Sequence, residues 1–299
     1  MTVAATKATP AVATASGRRR RFGRVPLHLV IIGLIVLWLI PTIGLLINSL
    51  RPTAEVTQSG WWTAIFKPSQ LTLENYTTVL QQSNLGQAFI NSIIISVPAT
   101  IIPVMIAAFA AYAFAWMSFP FRNVLAVVVV GLLVVPLQTT FIPVLQLFGP
   151  KGLGIAGSFL SVWLAHTAYG LPFAVFLLRN FMAELPREVF ESAYIDGASP
   201  VTAFLRLALP MSVPAIAALA IFQFLFVWND LLVAFVYLGA VSAENLPMTV
   251  VIANLVNSLG SGWQLLGAAA FISMAVPLLV FFGLQRYFVR GIVGGSVKG

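Results

Sequence analysis

Side chains able to do chemistry are scarce in this sequence. Its 299 residues hold 8 Asp and Glu against 16 Lys and Arg, with 2 His and no Cys. The missing thiols exclude disulfides, iron-sulfur clusters and thiolate metal sites. His28 and His166 stand apart, with no His-Glu-x2-His pair, so no metal ligand set is read. A nucleophile elbow, Gly-x-Ser-x-Gly, is absent, and so is the phosphate-cradling Gly-x4-Gly-Lys-Ser/Thr loop. No catalytic residue is assigned, and the chain is not an ATPase by itself. A lone histidine such as His166 reads as a helix-packing hydrogen bonder.

Two polar constellations remain. The first is the island from Glu184 to Pro214, the only long polar stretch between the ends of the apolar region. Pro186 suits a first helical turn, Glu188 and Glu191 lie near its positive end, and Gly197 can close it in a left-handed conformation. Ser199 is a good N-cap and Pro200 a good first residue of a following helix. Val189, Phe190, Ala193 and Tyr194 share one face at helical spacing, and that face needs a cover. The second constellation is Trp228-Asn229-Asp230, deep in an apolar stretch. An Asp at the membrane centre costs about 2.5–3.5 kcal/mol on insertion scales, so Asp230 should face a cavity, a partner or water. The other reading places it at the outer interface, paired with Arg51 or Lys67.

The elements that must position these residues are membrane spans. With 60% hydrophobic residues, 8% charged and a mean hydropathy of +0.98, the chain has too little polar surface for a soluble globule. An all-α integral membrane protein with six transmembrane helices is expected. The spans fall at 27–47, 88–116, 123–148, 155–178, 205–239 and 264–286, each near or above the roughly 20 residues a bilayer requires. Prolines inside them, Pro98, Pro103, Pro136, Pro143, Pro172, Pro214 and Pro277, predict kinks whose freed carbonyls are satisfied by neighbouring helices or water. Residues 1–26 form an Ala/Thr-rich, then arginine-rich tail with a disordered composition. Trp61 and Trp62 suit either the membrane boundary or loop packing. With a cytoplasmic N-terminus, thirteen of the sixteen cationic residues lie inside. That bias is the positive-inside pattern, and it puts the Glu184–Pro214 island in the cytoplasm. That placement explains the charge of +8 without nucleic acid, and membrane lipid is the expected surrounding partner.

Glu191-Ser192-Ala193, x3, Gly197, x9, Leu207-Ala208-Leu209-Pro210 resembles the Glu-Ala-Ala loop of ATP-binding-cassette (ABC) importer permeases, written Glu-Ala-Ala, x3, Gly, x9, Ile-x-Leu-Pro. Ser192 and Leu207 depart from that pattern and leave its spacing intact. The phrase Phe-Val-Trp-Asn-Asp-Leu-Leu and the ending Gln285-Arg286-Tyr287-Phe288-Val289-Arg290-Gly291 are similar to maltose-type permeases. The resemblance implies a six-span permease domain over 27–290, a coupling loop at 184–210 between spans four and five, and a Gly-rich cytoplasmic tail at 291–299. It implies that Glu191, Ser192, Ala193, Asp196, Gly197, Ala198, Leu209 and Pro210 couple to a separate ATPase dimer, which carries ATP and Mg, while this chain holds no cofactor. It also implies a second homologous permease, as a heterodimer, and an extracytoplasmic sugar-binding protein at a bacterial-type inner membrane. Trp228, Asn229 and Asp230 become pathway candidates for a mono- or oligosaccharide, an α-glucoside among them. The rival class is an ion-coupled secondary transporter or channel, for which Asp230 is the one candidate carboxylate.

Overall fold

The structure is a computed structural model that describes residues 25–81, 84–239, 243–255 and 262–296, with side chains of the last helix as far as Gln285. The arginine-rich stretch through Arg24, the side chains of Arg286 and Arg290, and residues 297–299 lie outside the described residues. Among the described residues every regular element is helical. Helix α1 (Val25–Ser49) leads through three short helices, α2 (Thr53–Gln58), α3 (Thr63–Phe66) and α4 (Glu74–Gln81), to α5 (Leu85–Trp116). Then come α6 (Arg122–Leu132), α7 (Phe141–Phe148), α8 (Phe159–Ala183) and the polar α9 (Arg187–Ile195). The chain continues through α10 (Pro200–Ala203), a π-helical turn (Phe204–Ala208) and α11 (Leu209–Met211) into α12 (Val213–Trp228). It ends with α13 (Leu232–Tyr237), α14 (Met248–Ala253) and α15 (Trp263–Ser296).

Four helices are single pieces long and apolar enough to cross a membrane: α1, α5, α8 and α15. The count reaches six if each of two bent pairs is one span. In these pairs the kinks expected within 123–148 and 205–239 are sharp breaks between separate helices. In the first, α6 and the Leu137–Phe148 segment meet at 98°, because Pro136 ends the run and the preceding amides close only three-residue turns. In the second, Pro200–Met211 and α12 meet at 72° around Ser212, which sits between Pro210 and Pro214. The stretch to 239 is broken again at Asn229–Leu231, where α12 ends and α13 begins.

Three of the other prolines, Pro98, Pro103 and Pro277, lie inside continuous helices and have freed carbonyls that accept from side chains. A proline at position i leaves the carbonyl of i−4 without its helical donor. For Pro98 that is Ile94 O, which accepts from Trp163 Nε1 at 3.0 Å. For Pro103 it is Ala99 O, which accepts from Gln223 Nε2 at 3.2 Å. For Pro277 it is Ser273 O, which accepts from Trp228 Nε1 at 3.1 Å. Each proline of the trio is therefore bonded across to another helix, as a bundle in lipid requires.

Small residues bring the helices together. Ala99, Ala107 and Ala111 of α5 are wholly buried, facing α8 and α12. Gly267 of α15 lies against Leu45 and Ser49 of α1, where an added Cβ would come within 3.3 Å of both. From Pro26 to Ile43 every side chain of α1 is exposed, so its apolar surface faces lipid or another subunit. Trp61 packs over Gly44, whereas Trp62 is exposed, so the tryptophan pair divides between the two roles expected of it. Arg51 is buried and pins the loop after α1, donating to Asn48 Oδ1, Glu55 O, Ser59 and Thr63 Oγ1.

Candidate functional site

Two places in this bundle hold the residues singled out above. The first is α9 and the turn that follows it. Pro186 stands just before the helix in an extended conformation, and Glu188 occupies the first turn, where a negative charge complements the helix dipole. Gly197 has φ +83°, and the end closes as a Schellman motif: Gly197 N donates to Tyr194 O at 3.1 Å and Ala198 N to Ala193 O at 2.9 Å. Ser199 then caps α10, its Oγ accepting from Thr202 N at 3.2 Å, with Pro200 at the first helical position.

The shared face of α9 is covered by the C-terminal end of α5. Phe190 is fully buried and stacks on Trp116 with ring centroids 3.9 Å apart. Trp116 Nε1 in turn donates at 2.9 Å to Met182 O, one of the last carbonyls of α8. Tyr194 Oη lies 3.1 Å from Tyr112 Oη, and Ala193 is half-buried. Val189 and Tyr194 on that face are each 39% exposed, Tyr194 reaching the bundle through its hydroxyl. Residues outside it, Glu191, Ser192, Asp196 and Gly197, are all exposed, and Ile195 is 86% exposed. Leu209 is half-buried in the same core, while Pro210 is exposed beside the 72° bend. The helix is held on the bundle by two aromatic contacts and leaves its charged residues and Ile195 exposed.

The second place is the α12–α13 break. Asp230 Oδ1 accepts from Val233 N at 3.2 Å and Oδ2 from Ala234 N at 3.0 Å, so its carboxylate caps α13. Its backbone carbonyl accepts from Thr249 Oγ1 at 2.5 Å. Its other close neighbour is His166 Nε2, 3.6 Å from Oδ2. Arg51 is committed to its own loop, which removes the expected pairing of Asp230 with that residue. Trp228 is 3% exposed, packed against Phe224 and Phe89 and bonded to Ser273 O. In this structure its indole packs inside the bundle and lines no cavity named here. Asn229 is exposed and bonds back to Leu225 O at 2.8 Å. His166 is wholly buried, edge-on to Phe226, and neither ring nitrogen has a hydrogen-bond partner, so the expected hydrogen bonder only packs.

A cleft of about 270 Å³ between α8 and α12 went unread in the sequence. Tyr169, Phe173, Phe222 and Phe226 line it around the amide of Gln223, with Gly170 at its floor. Gly170 has no room for a Cβ, because Gln223 Oε1 would be 2.6 Å from it. The signal was present as two aromatic pairs at four-residue spacing, 169/173 and 222/226, plus one amide in an apolar run. No charged group lines this cleft, so its chemistry is stacking on aromatic faces and hydrogen bonding to an amide.

Among the described residues no three His, Asp or Glu side chains gather as a metal site would need. Residues 103–294, most of the bundle including both places, match the family described as binding-protein-dependent transport system inner membrane component. The chain belongs to that family. Among similar proteins, the osmoprotective compounds uptake permease GgtD of Synechocystis is 56% identical, with 92% of each chain covered. The alpha-glucoside transport system permease AglG of Rhizobium meliloti is 42% identical over 91% of this chain and 96% of its own. The trehalose transport permease SugB of Mycobacterium tuberculosis is 32% identical over 87% and 93%. In fold, the chain is similar to a chain of a bacterial ABC transporter that imports alginate, with TM-score 0.74 at 20% identity, covering 94% of this chain and all of that one. The protein is thus a multi-pass permease subunit of an ABC importer and not an enzyme. Family membership sets aside the ion-coupled transporter.

Proposed function

We propose that this permease subunit forms half of the pathway for a small neutral glycoside and couples its movement to ATP hydrolysis through α9. The coupling surface is Glu191, Ser192, Ala193, Asp196, Gly197 and Ala198, to which the structure adds Ile195; Leu209 and Pro210 set the bend behind it. ATP and Mg belong to a dimer of separate ATPase subunits that receives this surface. A second homologous permease completes the pathway against the exposed apolar helix faces. A soluble binding protein delivers the solute from the outer side. The alginate importer offers a parallel, having been solved with a pentasaccharide-bound periplasmic protein. The cationic bias places both termini and α9 in the cytoplasm.

The observation that carries this reading is the exposed, Schellman-closed α9 with its bare Ile195, standing free of any contact that would explain its exposure. The solute class is supported by the names of the relatives, osmoprotective compounds, alpha-glucosides and trehalose, and by the uncharged aromatic cleft at Gln223. Uptake of labelled trehalose and other glucosides by cells expressing the whole importer tests it. Transport should stop on ATP depletion, continue with an ionophore, and resist competition by charged sugar acids. Uptake that follows an ion gradient after ATP is removed would refute the coupling assignment.

A further inference from the structure

At the base of α9 three arginines from three elements converge on one cavity of about 380 Å³: Arg122 at the start of α6, Arg179 near the end of α8 and Arg187 at the start of α9. Glu191 is the single carboxylate on its wall, and Trp116 forms part of its floor. Among the described residues the arginine–carboxylate ion pair is Arg51–Glu55, so no carboxylate neutralises these guanidiniums. Arg122 donates to Met117 O at 3.1 Å and Arg179 to Asn180 Oδ1 at 3.1 Å, which orients both and leaves further N–H donors on each fork. Three positive charges against one negative on the wall of one cavity call for an anion.

A second cavity of about 270 Å³ adjoins the first and shares Phe114 and Arg179 with it. Its walls are otherwise apolar, formed by Val127 and Val130 of α6 and by Val175 and Phe176 of α8. The two cavities together present cationic forks at one end and a hydrocarbon slot between helices at the other. A soluble phosphate or nucleotide would use only the first. A guanidinium pairs bidentately with phosphate oxygens, and basic pockets between membrane helices suit acidic headgroups. We propose that this joint cleft binds one anionic phospholipid, its phosphate on Arg122, Arg179 and Arg187 and an acyl chain along Val127, Val130 and Phe176. The bound lipid bridges α6, α8 and the base of α9, beside the Trp116–Phe190 stack. Nothing in this depends on which solute is carried.

Native mass spectrometry of the complete importer, purified in detergent and mixed with phosphatidylglycerol or phosphatidylcholine of identical chains, tests the site. The native complex should retain phosphatidylglycerol about thirtyfold more than phosphatidylcholine, as roughly two net positive charges near a headgroup imply. Arg122→Gln with Arg179→Gln should abolish that preference. Val130→Trp, which fills the slot and keeps every arginine, should lower phosphatidylglycerol retention while leaving binding of glycerol phosphate unchanged. Equal retention of the two lipids by the native complex would overturn the proposal. So would displacement of phosphatidylglycerol by equimolar glycerol phosphate, which would mark a site for soluble anions.

Discussion

Gly197 decides whether α9 can end where it does. At φ +83° a side chain with a Cβ pays backbone strain even though the space around it is open, since nothing lies within 4 Å of an added Cβ. Left-handed backbone costs an ordinary residue about 1–2 kcal/mol, and Asn tolerates it better than most. Gly197→Val should therefore uncouple ATP hydrolysis from uptake while the protein still inserts, and Gly197→Asn should retain more uptake than Gly197→Val. Equal loss in both would mean that the turn's conformation is not what matters. Polar and glycine signals of this kind are local, so the cap, the turn and Ser199 could be read from sequence alone. The partners of Phe190 could not, because Trp116 lies 74 positions away in sequence and only folding brings it to 3.9 Å.

Among the elements, the prolines show where sequence reading stops. Kinks at Pro98, Pro103 and Pro277 were legible as possibilities of the backbone, but which side chains would satisfy Ile94, Ala99 and Ser273 depended on helix pairing. Trp228, read as part of a pathway because it neighbours Asp230, turns its indole away to Ser273 O. Trp228→Phe should lower thermal stability in detergent by about 1–3 kcal/mol, the cost of a buried carbonyl without a donor, and leave solute selectivity unchanged. A shift in selectivity would place Trp228 in the pathway. Asp230 is a cap by geometry, so Asp230→Asn should be mild, while Asp230→Ala should cost about 1–2 kcal/mol in thermal unfolding. Complete loss of uptake in Asp230→Asn with unchanged stability would instead indicate a role for its charge. Kinks at Pro136 and Pro214 were legible in the same way, but not that they would be bends of 98° and 72°. Hydropathy runs through both without a gap, and only backbone geometry shows that an apolar run of spanning length is two helices.

Over the whole molecule, burial is lopsided. The core lies along α5, α8 and α12, while α1 and much of α6 and α15 present apolar side chains outward. Composition made the membrane legible, and charge placement made the orientation arguable, but the aromatic cleft around Gln223 needed two helices in register to appear. With the proposed coupling surface bare and an aromatic cleft open at the surface, the chain has faces left for partners. The central claim is that α9 docks on an ATPase, and the absence of native cysteine makes it directly testable. The measurement is thiol cross-linking from Ile195→Cys, the sole thiol in this chain, in membranes containing the assembled importer. The account predicts one adduct, with the ATPase subunit, that changes in yield when ATP is added. Efficient labelling of that thiol by a soluble reagent with no ATPase adduct in any nucleotide state would contradict it.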